Sequence, residues 1–180
     1  PFRPILNTGQ HIAPCYASRY QQADESELEY SLRAANELEA KILQLGAENV
    51  MAFIAEPIVG ATAGAVPATD GYFKRIREIC DQYDVLLIMD EVKTGFRVAK
   101  GGAQELYGIK ADLTTYAKAM GNGYPVAAFG GRADVMDVIS FSAKGVTHGG
   151  TYTANMIALS AAKATLTILN ETDAYETINK

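Results

Sequence analysis

The length, composition and charge of the chain favour one globular domain and argue against two broad classes of protein. Its 180 residues are 48% hydrophobic, which is enough to build a core, and its formal net charge is −5. No basic stripe is present, which argues against nucleic-acid binding, and no apolar run approaches the roughly 18 residues that a membrane span needs. The two cysteines, Cys15 and Cys80, have no metal-ligand spacing and suit a reducing, cytoplasmic setting.

The first part of the chain predicts an irregular segment followed by a long amphipathic helix. Residues 1–22 contain three prolines and little periodicity, which predicts irregular structure. Ser26 and Glu29 have the spacing of a capping box. Apolar residues then recur at helical intervals up to Gly46, a residue type that commonly follows the C-terminus of a helix.

The middle of the chain predicts a strand, a helix and a second strand. Residues 49–55 predict a short buried strand, and the Gly-, Ala- and Thr-rich residues 58–67 predict a loop. A helix capped by Thr69 or Asp70 follows, and residues 85–89 form a continuous apolar run typical of a buried strand. A crossover of this length predicts a right-handed parallel unit, and therefore an α/β fold.

The second half of the chain continues the same alternation with shorter elements. The predicted elements are a long glycine-containing loop, a strand at 112–116, a turn at 121–125, a strand at 126–130, a helix at 133–139, a loop at 142–153 and a helix at 155–169. The strand at 112–116 is more polar than the apolar run before it, but it is also expected in the parallel sheet.

Ionisable residues follow both of the strands that this pattern predicts most clearly. Asp90 and Glu91 come directly after the run at 85–89, and Lys118 follows the strand at 112–116. In open α/β sheets, ligands bind just outside the carboxyl ends of the strands, so an acid and the lysine are expected at one crevice. A pyridoxal phosphate enzyme needs such a pair, with a lysine to form the Schiff base and an acid beside the pyridinium nitrogen.

Three motifs occur in an order that resembles a known family. The chain resembles the class III aminotransferases of fold type I in three motifs, DEVKTGFR, YAKAMGNGYP and HGGTYTAN. The resemblance covers most of the chain from about Leu38 onward. Within that class, GFRVAKGGAQELYG and the following ADL resemble the glutamate-1-semialdehyde 2,1-aminomutase-like subgroup. The resemblance implies a three-layer fold, with a mostly parallel sheet flanked by helices, and pyridoxal 5'-phosphate as the cofactor.

The same resemblance implies a chain more than twice as long as this one. Residues 1–180 are therefore expected to be an internal part of the large, cofactor-binding domain, without the N-terminal segment and the small C-terminal domain. The implied activity is amino-group transfer on a small amino or keto substrate, as an aminotransferase or an aminomutase. No metal is expected.

Five residues take roles at the cofactor if the family pattern is carried over position by position. Lys118 forms the Schiff base, Asp90 keeps the ring nitrogen protonated, and Val92 lies against one face of the ring. Glu56, at the end of an earlier strand, supports the site by hydrogen bonds. Thr151 reaches the cofactor phosphate of the partner subunit, which implies a homodimer with a shared active site; its glycine-rich loop before a helix also suits an anion.

Each of the two reacting side chains also has a purely structural interpretation. Lys118 fits a strand-end lysine whose amine simply reaches water, although its alanine neighbours suggest partial desolvation, which favours the neutral amine. Asp90 fits a helix cap or an ion pair with Lys93 or Arg97, because an ionised carboxylate at a strand end needs a partner.

The supporting residues have structural alternatives as well. Val92 fits a core valine, and Thr151 fits a helix N-cap, a role that Thr153 also suits. Tyr152 and Asn155 are expected to line the site.

Two other functions compete with amino-group transfer. The first is a truncated, non-catalytic α/β fragment, whose unpaired sheet edges would favour aggregation or dimerisation. The second is a doubly wound nucleotide-binding module, suggested by Gly121-Asn122-Gly123, although this sequence is neither a GxGxxG motif nor a P-loop.

Ala61 follows Gly60 where many class III members have a glutamate that gates a substrate-binding arginine, so that form of dual-substrate recognition is not expected.

Overall fold

The structure, a computed structural model, describes residues 9–140 and 144–180. The first eight residues of the predicted irregular segment and part of the predicted loop at 142–153 lie outside this range. The helices are α1 (Ala17–Tyr20), α2 (Glu27–Leu45), α3 (Tyr72–Gln82), α4 (Gly102–Tyr107), α5 (Ala133–Met136), α6 (Met156–Glu171) and α7 (Ala174–Ile178). The strands are β1 (Ala52–Ala55), β2 (Ile58–Val59), β3 (Val66–Pro67), β4 (Leu86–Asp90), β5 (Leu113–Tyr116) and β6 (Ala128–Gly131). Of the helices in the described part, none has both the length and the apolar character needed to cross a membrane.

A four-stranded sheet in the order β1-β4-β5-β6 forms the centre of the fold. The strands β1, β4 and β5 run parallel, and β6 lies antiparallel beside β5. The short strands β2 and β3 form a separate antiparallel hairpin within the predicted loop after β1. Helices flank the sheet, so the predicted α/β fold with a mostly parallel sheet between helices is confirmed.

The helix α2 begins and ends where its sequence signals predict. The Ser26 side chain accepts a hydrogen bond from the Glu29 N–H, and the Glu29 carboxylate accepts one from the Ser26 N–H, which completes the capping box. Gly46 follows the last turn with φ +83°, a conformation that favours glycine. The face that carries Leu38 and Ile42 is buried against α3.

Side chains of β4 alternate between the two faces of the sheet. Leu87 and Met89 are fully buried on the face covered by α2 and α3, where they pack with Ile76 and Ile79. Since successive side chains of a strand point to opposite faces, Asp90 belongs to the other face. At the strand end, the alternation therefore sends Asp90 and the next residue to opposite sides.

The predicted N-cap of α3 is wrong. The N-cap of α3 is Gly71, with φ +88°, and not Thr69 or Asp70. The Thr69 hydroxyl is instead engaged with the Ser31 hydroxyl, at an oxygen–oxygen distance of 2.6 Å, and with the Cys15 sulfur at 3.3 Å. Tertiary hydrogen bonds have taken the side chain that was expected to cap the helix.

The strand predicted at 49–55 is shorter than expected and is not fully buried. Within the described residues β1 pairs only with β4, and as an edge strand it leaves Ile54 58% exposed. Three other predictions also differ from the structure. The helix α4 occupies part of the loop predicted after β4, and α1 lies within the predicted irregular segment at 1–22. The helix α5 is shorter than the predicted helix at 133–139.

A buried carboxylate joins three elements at the amino ends of the parallel strands. Asp112, just before β5, accepts hydrogen bonds from Arg77 of α3 at 2.7 Å, from Arg132 after β6 at 2.9 Å and from the Leu87 N–H at 2.7 Å. Burial raises the pKa of the Asp112 carboxyl, but the hydrogen bonds from Leu87, Arg132 and Arg77 outweigh burial, so the pKa lies below its ordinary value.

We expect Asp112→Asn to lower the free energy of unfolding by about 2 kcal/mol at neutral pH, because hydrogen bonds to a buried charge are lost. Since folding lowers the pKa of Asp112, its contribution is complete above the unfolded-state pKa of about 3.9 and is lost as the pH falls through the folded-state pKa. Urea unfolding of both proteins at neutral and acidic pH should therefore show a difference that shrinks in acid.

The matched control is Asp81→Asn, which removes only the exposed partner of the same Arg77. A surface ion pair contributes about 1 kcal/mol at most, so this change should be milder. Equal losses for the two variants would contradict the role assigned to Asp112.

Candidate active site

Three ionisable side chains follow three neighbouring parallel strands. Glu56 comes directly after β1, Asp90 ends β4, and Lys118 lies two residues beyond β5. In the register of the sheet, Ala55 is opposite Met89 and Asp90 is opposite Thr115. The structure therefore brings all three residues to the same, carboxyl edge of the sheet, as the sequence predicts.

The half-buried carboxylate of Asp90 is held on one side and open on the other. Its Oδ1 accepts a hydrogen bond from the Val92 N–H at 3.0 Å and from the Thr115 hydroxyl at 3.3 Å. Its Oδ2 has no hydrogen-bond partner in the described part of the chain, and neither Lys93 nor Arg97 forms an ion pair with it there. The ion-pair alternative for Asp90 is thus absent from the described residues.

Lys118 begins a short 3-10 turn, Lys118–Met120, with backbone φ +42°. This left-handed conformation is uncommon for a residue with a side chain and costs of order 1 kcal/mol or more. It is kept in place by hydrogen bonds from the Gly121 and Asn122 N–H groups to the Lys118 carbonyl, at 3.0 and 2.9 Å.

The side chain of Lys118 is exposed and lines an open cavity of about 480 Å³ with Asn122, Tyr124 and Pro125. The expectation of partial desolvation is therefore wrong for the described structure. The turn follows the end of β5, and the alanines on either side of Lys118 are too small to cover its long side chain.

Glu56 joins the end of β1 to the loop that follows. Its Oε2 accepts a hydrogen bond from the Gly60 N–H at 2.9 Å. The side chain of Lys93 lies directly over Gly60, where a Cβ atom would come within 2.6 Å of the lysine Cε. Glu56 lines a separate cavity of about 530 Å³, together with residues that include His11 and Tyr72.

Val92 and Thr115 line the largest of these cavities, about 780 Å³, between the sheet and the start of α6. Tyr152, Asn155 and Ala158 line the same cavity from the side of α6. Val92 is half-buried and stands at a cavity wall, so it does not belong to the closed core.

Thr151 is exposed in the turn that precedes α6 and lines none of the three cavities to which Lys118, Glu56 and Val92 contribute. The N-cap of α6 is Asn155, whose Oδ1 accepts a hydrogen bond from the Ala158 N–H at 3.0 Å. Neither Thr151 nor Thr153 caps the helix. Within one chain, Thr151 therefore shares no cavity with Lys118, Glu56 or Val92.

Sequence reasoning assigned no role to Glu91, which proves to be fully buried. Its Oε2 accepts hydrogen bonds from the Thr94 hydroxyl at 2.8 Å and the Ala103 N–H at 2.7 Å. Its Oε1 accepts from the backbone and side-chain amides of Gln104, at 3.0 and 3.1 Å. Strand alternation was the available signal, since it directs the residue after Asp90 toward the face of Leu87 and Met89.

Comparison with known proteins now decides the family. The model of the aminotransferase class-III family matches residues 4–180. The chain belongs to this family. The resemblance seen in the three motifs is therefore confirmed.

Relatives of known sequence agree with the subgroup that the motifs suggested. The chain is 42% identical over 162 residues to glutamate-1-semialdehyde 2,1-aminomutase of Methanocorpusculum labreanum, covering 90% of this chain and 37% of the relative. It is 46% identical over 132 residues to the enzyme of that name from Chlorobium luteolum, covering 73% of this chain and 30% of the relative. The chain thus spans well under half the length of these relatives.

Solved structures share the fold of the chain. An omega transaminase from Pseudomonas jessenii, in complex with PMP, superposes with a TM-score of 0.88 at 32% identity, covering 95% of this chain and 39% of that chain. A thermostable (S)-enantioselective omega-transaminase from Thermomicrobium roseum has a TM-score of 0.85 at 32% identity, covering 93% of this chain and 37% of that chain.

Proposed function

We propose that the protein transfers amino groups with the help of pyridoxal 5'-phosphate. The observation that carries the proposal is the position of Asp90 and Lys118 at the carboxyl ends of neighbouring parallel strands, in a chain that belongs to the class III aminotransferases. The P. jessenii transaminase in complex with PMP, the aminated form of this cofactor, supports the choice. Because the chain spans less than half of its relatives, the activity refers to the full-length protein.

The open oxygen of Asp90 fits the ring nitrogen of the cofactor. Oδ1 is fixed by Val92 and Thr115, whereas Oδ2 has no partner among the described residues and remains free to accept a hydrogen bond from a protonated nitrogen. When bound, pyridoxal phosphate supplies a conjugated ring that accepts the electron pair released as a bond to the amino-bearing carbon breaks. The charge of Asp90 favours the protonated nitrogen on which that capacity depends.

Lys118 is the proposed partner of the cofactor aldehyde. Its amine has no hydrogen-bond or ion-pair partner in the described part of the chain, and its side chain is free to approach a carbonyl carbon. As a free amine, Nζ would be suited to remove a proton from the substrate carbon and to return it to another carbon atom at the site. A strained backbone held by surrounding bonds often marks a functional residue, and Lys118 has such a backbone.

The remaining residues would orient the cofactor. Val92, at a cavity wall, is proposed to lie against one face of the ring, and Glu56 to support the site by hydrogen bonds. Thr151 is proposed to reach the phosphate held by a partner subunit, which agrees with its exposure and with its absence from the three cavities lined by Lys118, Glu56 and Val92 of its own chain. The chain would then be part of the large domain of a homodimer with shared sites.

The choice between an aminomutase and an aminotransferase is a matter of where the amino group goes. The higher identities are to relatives named as aminomutases, at 42% and 46%, and those to the omega transaminases are 32%. We therefore favour movement of the amino group within one small amino or keto substrate, with transfer to a separate keto acid as the second candidate. A cytoplasmic setting is proposed from the two free, buried cysteines.

We expect Lys118→Ala in the full-length protein to lower kcat by at least roughly 100-fold, as removal of a proton-transferring group does. The fold should survive, because the side chain is exposed. Borohydride treatment of the wild-type protein, followed by peptide mapping, should place the covalently retained cofactor on Lys118.

The control is Lys93→Ala, which removes an exposed lysine near Glu56 at the same edge of the sheet. It should leave labelling and turnover close to wild type. Labelling of a lysine other than Lys118 would sink the assignment, and a full-length protein that takes up no cofactor would favour the non-catalytic alternative.

Asp90→Asn should reduce the rate far more than it reduces cofactor retention, because a neutral amide cannot hold the proton on the ring nitrogen while the other contacts remain. Stopped-flow measurement of the rate of reaction with an amino donor tests this. A loss within about tenfold, or roughly 1.4 kcal/mol of barrier, would leave Asp90 with a structural role only.

Thr151→Ala should weaken cofactor retention by roughly 1.5–3 kcal/mol, since one hydrogen bond to a charged phosphate is lost. If Thr151 acts across subunits, mixing Thr151→Ala with Lys118→Ala protein should restore part of the activity, because one site of each mixed dimer carries neither change. No recovery despite demonstrated subunit exchange would mean that Thr151 acts within its own chain.

A further inference from the structure

The buried carboxylate of Glu91 takes the place of a missing helix cap. No side chain of Gly101, the residue before α4, can cap this helix. The oxygens of Glu91 instead accept the N–H groups of Ala103 and Gln104 in its first turn, at 2.7 and 3.0 Å. A charged acceptor satisfies donors that a helix start otherwise leaves unpaired.

The fit between Glu91 and α4 depends on a glycine. Gly102 has φ +67°, and a Cβ atom at this position would collide with the Glu91 carboxylate. The Gln104 side chain extends the network, donating to the Thr114 hydroxyl at 3.0 Å and accepting from the Ala111 N–H at 2.8 Å. The carboxylate is thus enclosed, and its position is set by α4 and β5 together.

The backbone of Glu91 joins this network to Asp90. The Glu91 N–H donates to the Thr115 carbonyl at 3.0 Å, and the Glu91 carbonyl accepts from the Gly95 N–H at 2.8 Å. The same Thr115 donates its hydroxyl to Asp90 Oδ1, and the N–H that follows Glu91, that of Val92, donates to the same oxygen. A shift of Glu91 therefore moves both groups that orient the Asp90 carboxylate.

We propose that Glu91, held by the first turn of α4 over Gly102, is a positioning residue that aims the Asp90 carboxylate at the cofactor ring nitrogen. This proposal rests on the proposed function, because it assumes the role of Asp90 given there. The side chain of Glu91 is fully buried and would not itself contact the cofactor. A displacement of about 1 Å at a reacting group can reduce a rate by roughly 100-fold, so an anchor of this kind matters to catalysis.

The test compares two glycines in the full-length protein, Gly102 at the start of α4 and Gly108 directly after its end. Gly102→Ala and Gly108→Ala each place a side chain on a left-handed backbone, with φ +67° and +61°, but only the first meets Glu91; nothing lies within 4 Å at Gly108. Their effects on backbone strain are therefore matched. The readouts are the pH titration of the visible absorbance of bound pyridoxal phosphate, kcat with KM, and thermal unfolding.

We expect Gly102→Ala to shift the titration midpoint in the same direction as Asp90→Asn and to lower kcat roughly 10- to 100-fold with little change in KM. Gly108→Ala should unfold at a lower temperature as well, but its titration and kcat should remain those of the wild type. If Gly102→Ala does not fold, Thr94→Val removes one donor to Glu91, and Thr94→Ser, which keeps the hydroxyl, should restore the wild-type titration.

Each contrary outcome has a distinct meaning. A wild-type titration and kcat in Gly102→Ala or Thr94→Val, beside a clear shift in Asp90→Asn, would overturn the positioning role of Glu91 alone. An equal shift in Gly108→Ala would do the same, since strain by itself would then explain the effect. A wild-type protein that binds no pyridoxal phosphate would overturn the proposed function and this inference together.

Discussion

The parallel pairing of β4 with β1 on one side and β5 on the other is the constraint on which the site depends. Because the three strands run in the same direction and in a fixed register, the residues that follow them meet at one edge of the sheet. Glu56, Asp90 and Lys118 are far apart in sequence and have this edge in common. A change of register by one residue would turn Asp90 toward the core and remove it from the site.

The two ends of the parallel strands hold carboxylates with different roles. At the amino ends, Asp112 pairs with Arg77 and Arg132 and ties the sheet to α3 and to the segment after β6. At the carboxyl ends, Glu91 is enclosed by backbone and side-chain amides, and Asp90 keeps one oxygen open. Carboxylates whose oxygens all have hydrogen-bond partners stabilise the fold, and the oxygen of Asp90 that has no partner among the described residues is the one proposed to accept a bond from the cofactor.

The local signals that proved right need only neighbours in sequence. The capping box at Ser26 and the glycine at 46 set the limits of α2, and the apolar run before Asp90 forms the central strand. The signals that failed needed distant partners. Thr69 looks like a cap, but Ser31, 38 residues earlier in the chain, binds its hydroxyl. The alanines beside Lys118 suggest a desolvated amine, but desolvation needs cover from distant elements, and in the described part of the chain the Lys118 side chain is exposed.

The sequence by itself determined the fold class, the family and the residues that end the parallel strands, because hydrophobic periodicity and short motifs are properties of the chain alone. Only the tertiary structure decided how those residues are held. Among residues 9–140 and 144–180, it fixed one oxygen of Asp90 and left the other without a partner, placed Thr151 outside the cavities lined by Lys118, Glu56 and Val92, and enclosed Glu91 against Gly102. Such contacts join residues of separate elements, and their geometry exists only once the sheet has brought those elements together.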